Sequence, residues 1–398
     1  MTAVSGTAPA RVGIRHDGVT WYAYLLLAYF TFLNTSQGNI VPFLKAELDL
    51  SFGMVSLHSS AVAVGILLIG VFGDRVVAHF GRRTMLIASA LASAVSVALL
   101  AAAPAVQATL LAYFLIGATG AFIPAIVPAL LSDIHGAGRD LAITEANAVC
   151  YVFAIAAPLI AGLAAWMGWS WRLVPLAAVI AAAVIVAIYW RYPIPNGATA
   201  SQKKSSGRLP PSFWGYWAML GFAVGLEFSA LLWAPAYMQQ VVGLSPSAAA
   251  LAGGVFFVAM LVGRTAGIRF VSLYSPRNIF FVLMVLAFAG FAGYWTAQPW
   301  LAIPGLFVVG LGVSLLFPLT MSFALAAVPA AASDRASTRI MLAPGLAIIL
   351  NPPLLGGLAD AVGLWLAQLV LPAFAAMVVA AFCVGWWLEG RDYSASSS

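Results

Sequence analysis

Twelve runs of apolar residues, each long enough to cross a lipid bilayer, leave this chain very few ways to fold. A helix needs about 20 such residues to span the hydrocarbon core. Between charged or Pro/Gly-rich breaks the runs lie near 19–43, 54–74, 84–103, 107–131, 143–166, 173–190, 213–237, 247–268, 278–297, 301–325, 339–359 and 365–388. The pair 84–103 and 107–131 is divided only by a turn near Pro104. Composition agrees with this reading: 63% of the 398 residues are hydrophobic and 8% are charged, where a soluble domain carries about 25% charge. So little charge cannot cover a water-exposed surface, and the apolar excess must face lipid. The expected class is an all-α membrane protein with twelve transmembrane helices.

Charge distribution sets the expected orientation. The formal charge of +6 would suggest nucleic acid in a soluble protein. Here 16 of the 18 Lys and Arg residues fall on one side of the alternating spans, leaving only Lys45 and Arg172 on the other. By the positive-inside rule the basic side is cytoplasmic. The chain is therefore expected in the cell membrane, multi-pass, with both termini inside. Residues 1–18 form a polar cytoplasmic segment without the short apolar region of a signal peptide. Residues 191–212, with Lys203, Lys204 and Arg208 among Ser, Gly and Pro, form a flexible cytoplasmic linker. They separate a six-helix group at 19–190 from a second at 213–388, and a tail at 389–398 follows.

The two groups repeat one another. Asn34 and Glu227, Pro42 and Pro235, and Phe114-Leu115-Ile116-Gly117 and Phe307-Val308-Val309-Gly310 all lie 193 residues apart. Pro158 and Pro353, each opening a Leu- and Gly-containing stretch, lie 195 apart. Chance recurrence explains one such match, but not three helix pairs at nearly one offset. Two homologous bundles related by an axis along the membrane normal form a known transporter architecture, with the solute site near the midplane where they meet.

The segment after the second span reads Gly70-Val71-Phe72-Gly73-Asp74-Arg75-Val76-Val77-Ala78-His79-Phe80-Gly81-Arg82-Arg83. It resembles the signature that the major facilitator superfamily carries between its second and third helices. Five residues separate Arg75 from Gly81, where the family usually has one. The resemblance implies the major facilitator fold and a cytoplasmic gate formed by Gly73, Asp74, Arg75, Gly81, Arg82 and Arg83. In the family this loop helps hold the cytoplasmic ends of the halves together when the carrier opens outward. A carboxylate at the N-terminus of a facing helix and charge-assisted bonds to arginine supply a physical reason. Gly263-Arg264-Thr265-Ala266-Gly267 reads as an eroded counterpart, and Asp334, Arg335 and Arg339 as its possible partners. Ala157-Pro158-Leu159-Ile160-Ala161-Gly162 looks like a weakened exporter pattern. Tyr113 stands where proton-linked exporters of the family often have arginine.

Glu227 is the one acidic residue placed near the middle of an apolar span, where an ionisable group marks function by default. It is the expected proton-coupling residue. Expected solute contacts are Asn34 and Gln37 on one helix face, Tyr113, Glu227, Trp233 and Asn351, with Asn147 a further candidate. The other walls are Ala, Gly, Phe, Leu and Val, which suit a small organic solute with few polar groups. No intramembrane Arg or Lys is expected to await a highly charged one. The expected function is proton-coupled secondary transport of such a solute by alternating access, as a monomer in the lipid bilayer, without nucleic acid, cofactor or metal. The alternatives are a drug or metabolite exporter, a sensor that keeps the fold, and a membrane enzyme. The enzyme reading lacks a nucleotide-cradling, HExxH or Ser/His/Asp pattern. His16, His58, His79 and His135 are scattered in or beside loops, and Cys150 and Cys383 have no paired spacing.

Overall fold

The computed structural model describes residues 14–195, 209–329 and 332–396. Arg11, Lys203, Lys204 and Arg208 lie outside these residues, as does the side chain of Asp334. Among the described residues every regular element is helical. The first half comprises α1 (Gly18–Glu47), α2 (Phe52–Phe80), α3 (Arg82–Ala102), α4 (Val106–Gly120), α5 (Phe122–His135), α6 (Arg139–Trp166) and α7 (Leu173–Tyr189). The second comprises α8 (Pro211–Gln240), α9 (Pro246–Leu273), α10 (Pro276–Trp295), α11 (Pro299–Val313), α12 (Leu316–Ala326), α13 (Ser333–Ile340), α14 (Leu342–Val362), α15 (Leu364–Ala367) and α16 (Val370–Ser396).

Nine segments among the described residues are long and apolar enough to cross a membrane. One of them, Val106–Trp166, is a 61-residue stretch that reverses at Gly136, whose φ of +51° suits glycine. It therefore supplies two passes. The expected count of twelve needs α1 and the shorter, 17-residue apolar α7 as two further passes. Helix starts obey capping chemistry. Asp17 accepts from the Thr20 N–H, Ser51 from Met54, Ser245 from Ala248 and Ser275 from Asn278, each satisfying one of the donors a helix leaves open at its start. Pro211, Pro246, Pro276 and Pro299 sit in first turns, where the missing N–H costs nothing.

Several expected boundaries move. The second span runs six residues past 74, so Asp74 and Arg75 lie on helix α2 rather than in a loop. The turn beside Pro104 is where expected, with residues 103–105 outside any helix. The eighth span, expected to end near 268, runs to Leu273, so α9 continues nine residues beyond Arg264. At 1.5 Å per residue that is about 14 Å of helix. His58 also lies inside a helix, buried in α2. It bonds Thr109 Oγ1 at 2.8 Å and the Val55 carbonyl at 3.0 Å.

The two halves touch along three helix pairs: α1 with α8, α2 with α14, and α6 with α9. The end that bears Arg191 and Leu209 is the linker end, and the other the distal end. The halves are tightest towards the distal end. A Cβ placed on Gly38 of α1 would stand 2.8 Å from the Leu231 carbonyl of α8. One on Gly356 of α14 would stand 2.6 Å from the Phe52 carbonyl of α2. Only glycine permits such approach. Towards the linker end the same α2–α14 seam loosens, so that Gly345 meets nothing nearer than a Leu67 methyl at 4.0 Å.

A central cavity between the two halves

A cavity of about 180 Å³ lies at the junction of α1, α6, α8 and α9, two helices from each half. Its polar lining is Thr31, Asn34, Thr35, Asn147, Tyr151 and Glu227, with Cys150 beside them. Phe228, Leu231, Phe256, Phe257, Met260 and Ala154 complete the wall. Asn34 and Glu227 sit at equal depth: each is sixteen residues into a 30-residue helix, counted from Gly18 and from Pro211. The internal repeat thus brings its two corresponding polar positions to one cavity.

The amides on the wall are held by their own helices. Asn34 Nδ2 donates to the Phe30 carbonyl at 3.0 Å, and Asn147 Nδ2 to the Ile143 carbonyl at 2.9 Å. This leaves their carbonyl oxygens with spare acceptor capacity. Gln37 Nε2 reaches the Asn34 Oδ1 at 3.4 Å. Below the cavity, on the linker side, Arg264 lies one helical turn beyond Met260. Its guanidinium is 5.1 Å from the Tyr151 ring, and its Nε donates to the Ser314 carbonyl at 3.1 Å. Its positive charge acts on both Glu227 and Tyr151. The expectation of no intramembrane Arg or Lys is therefore corrected, since Arg264 lies within α9. The sequence puts Arg264 at the cytoplasmic end of its span, but the helix continues past it, with Gly263 and Gly267 against Ser314 and Leu315.

The remaining expected contacts are placed elsewhere. Gln37 and Tyr113 line a separate void of about 10 Å³ inside the first half, and are 7% and 2% exposed. The Tyr113 ring packs edge-on against His58 at 5.1 Å. Asn351 binds within the second half, donating to the Gly225 carbonyl at 2.8 Å and pairing with Ser229. Trp233 is fully buried in the distal seal, its ring 5.7 Å from that of Phe52 on α2. Tyr151, Cys150, Thr31 and Thr35 line the cavity without having been expected there, and Arg264 stands beside Tyr151. Helical spacing from Asn147 to Tyr151 (i, i+4) is the signal that would have found the first.

Phe52 is the centre of the distal seal. Its N–H and that of Gly53, at the start of α2, donate at 2.7 Å each to the Asp360 carboxylate near the end of α14. Lys45 stands 4.6 Å over the Phe52 ring. A carboxylate of one half thus caps a helix of the other. At the linker end Arg82 bonds Asp133 and Arg83 bonds the Trp190 carbonyl, both within the first half, while Asp74 and Arg75 are exposed.

The sequence model of the Major Facilitator Superfamily matches residues 21–337, four-fifths of the chain. The chain belongs to the Major Facilitator Superfamily. Solved members with the same fold include a D-xylose-proton symporter, at 15% identity, covering 92% of this chain and 96% of that one with a TM-score of 0.77. A bacterial homolog to the human lysosomal transporter Spinster, in an inward-facing and occupied conformation, gives 16%, 95%, 96% and 0.73. The nucleoside transporter NupG gives 14%, 94%, 99% and 0.68. At these identities the likeness carries the fold. No curated protein matches the chain by sequence. Membership of this superfamily makes the chain a multi-pass membrane protein and a secondary transporter. Among the described residues no group of His, Cys, Asp and Glu is arranged to hold a metal.

Proposed function

We propose that the protein moves a small organic solute by proton-coupled alternating access, with the cavity between α1, α6, α8 and α9 as the solute site. The observation that carries this reading is the meeting of Asn34 and Glu227 at mid-helix, in a chamber to which each half contributes two helices. A site shared by two rigid halves is exposed to opposite sides as they rock about it. The conformation here is closed distally by the Asp360 cap and the Phe52–Trp233 contact. Its seam loosens towards the linker end, where the basic residues gather, so the linker end is read as cytoplasmic and the state as inward-facing.

Glu227 is the acidic member of the lining, and a carboxyl group there carries a proton in one state and a charge in the other. Glu227→Gln keeps shape and hydrogen bonding without ionising. In liposomes this variant is expected to exchange solute between equal pools at the wild-type rate while losing accumulation driven by a pH gradient. Undiminished accumulation by the variant rejects proton coupling through Glu227. Loss of exchange as well makes Glu227 a solute ligand instead. Orientation is checked independently with a single cysteine at Ser205. An impermeant reagent applied to intact cells is expected to leave it unlabelled, and rapid labelling reverses the assignment.

A further inference from the structure

We infer that the solute is an organic anion, a carboxylate on an apolar body, and that Arg264 receives its charge at the linker-side floor of the cavity. The inference rests on the cavity being the solute site and adds the chemical class that fits it. A cation within a membrane-spanning helix is costly, so its setting should show what offsets that. Among the described residues no carboxylate forms an ion pair with Arg264. One donor, Nε, is anchored on the Ser314 carbonyl. The Tyr151 ring flanks the guanidinium, and Tyr151 itself lines the cavity. Anchor and ring fix the orientation of a planar fork whose terminal nitrogens suit bidentate carboxylate recognition, which a lysine does not offer.

The other charged and titratable groups around the site decide the sign. Glu227 comes from α8, Cys150 and Tyr151 from α6, and Arg264 from α9, while α1 contributes Thr31, Asn34 and Thr35. With Glu227 ionised the site is neutral overall. With Glu227 protonated it is cationic through Arg264 alone and matches a monoanion. An anion beside Arg264 repels the Glu227 carboxylate, so anion and proton favour each other's binding and travel as a neutral pair. Phe228, Leu231, Phe256, Phe257 and Met260 then cover the apolar remainder of the solute.

Matched pairs test this on the purified full-length protein. Hexanoate and benzoate, against hexanamide and benzamide, differ in charge at nearly constant shape. We expect the acids to raise the thermal unfolding midpoint in a saturable way, more strongly as pH falls towards 6, and the amides to leave it unchanged. Arg264→Gln should weaken acid binding at least tenfold, with Arg264→Lys intermediate. Glu227→Gln should remove the pH dependence of acid binding. Equal shifts from the amides, no shift from the acids, or undiminished acid binding by Arg264→Gln each overturn the inference. Should Arg264→Gln fail to fold, the acid–amide comparison on the wild-type protein still decides. A neutral solute accumulated on a pH gradient would reject the anion and leave proton-coupled transport standing. Acid binding without gradient-driven movement would do the reverse.

Discussion

Asn34 and Glu227 differ by little in shape and occupy the same step of two related helices, yet only one of them ionises. Both open onto the same chamber. If the chamber rather than the particular helix sets the chemistry, an acid at position 34 should partly replace one at 227. Asn34→Asp in the Glu227→Gln background is therefore expected to restore a measurable part of pH-driven accumulation in liposomes. A double variant with no pH response places the coupling in the immediate surroundings of Glu227, where the Arg264 charge acts on it. Two other polar residues of the apolar spans are held by partners within their own half. Asn351 spends its amide on Gly225 and Ser229, and His58 on Val55 and Thr109. Lipid offers no water to satisfy these two groups, so protein partners do it.

At the scale of elements, the seams between halves depend on how closely helices approach. Gly38 is where α1 meets the backbone of α8, and a side chain there would press on the Leu231 carbonyl. Overpacking of this kind costs about 1–3 kcal/mol. The cost falls on the distally closed state alone, because only there are the two backbones in contact. Gly38→Val is expected to shift the conformational equilibrium away from distal closure by about five- to a hundredfold, since 1.4 kcal/mol is about one power of ten. Reaction of a cysteine reporter at Phe43 with an impermeant reagent from the distal side measures it. Unchanged reactivity shows that the α1–α8 seam does not open during the cycle.

At the scale of the whole molecule two carboxylates mark opposite ends. Asp360 ties α14 to the start of α2 across the halves, while Asp74 stands exposed at the linker end. An exposed carboxylate at a helix N-terminus is worth about 0.3–1 kcal/mol, so the Asp360 cap biases the cycle rather than locking it. Asp360→Asn is expected to lower the distally closed population by about two- to fivefold with solute affinity in that state unchanged. Asp74→Asn is expected to slow turnover without weakening solute binding, through the opposite conformation. Double electron–electron resonance distances between spin labels on the two halves read both populations. Identical distance distributions in Asp360→Asn and wild type would remove the cap from the cycle.

The sequence by itself determined the membrane class, the run of spans and the family, because lipid imposes a length and an apolarity on every crossing and the signature around Asp74 is local. The internal repeat also made Asn34 and Glu227 legible as a pair, since related halves put equivalent residues at equal depth. What the tertiary structure decided was which polar residues share a space. Gln37 is one turn from Asn34 yet faces a void inside its own half, and Trp233 seals the distal end. Arg264, read as the cytoplasmic end of its span, stands inside α9 beside Tyr151. Helix rotation and the angle between halves settle such placements. Both arise from close packing of small residues on distant segments, which no local pattern in the chain records.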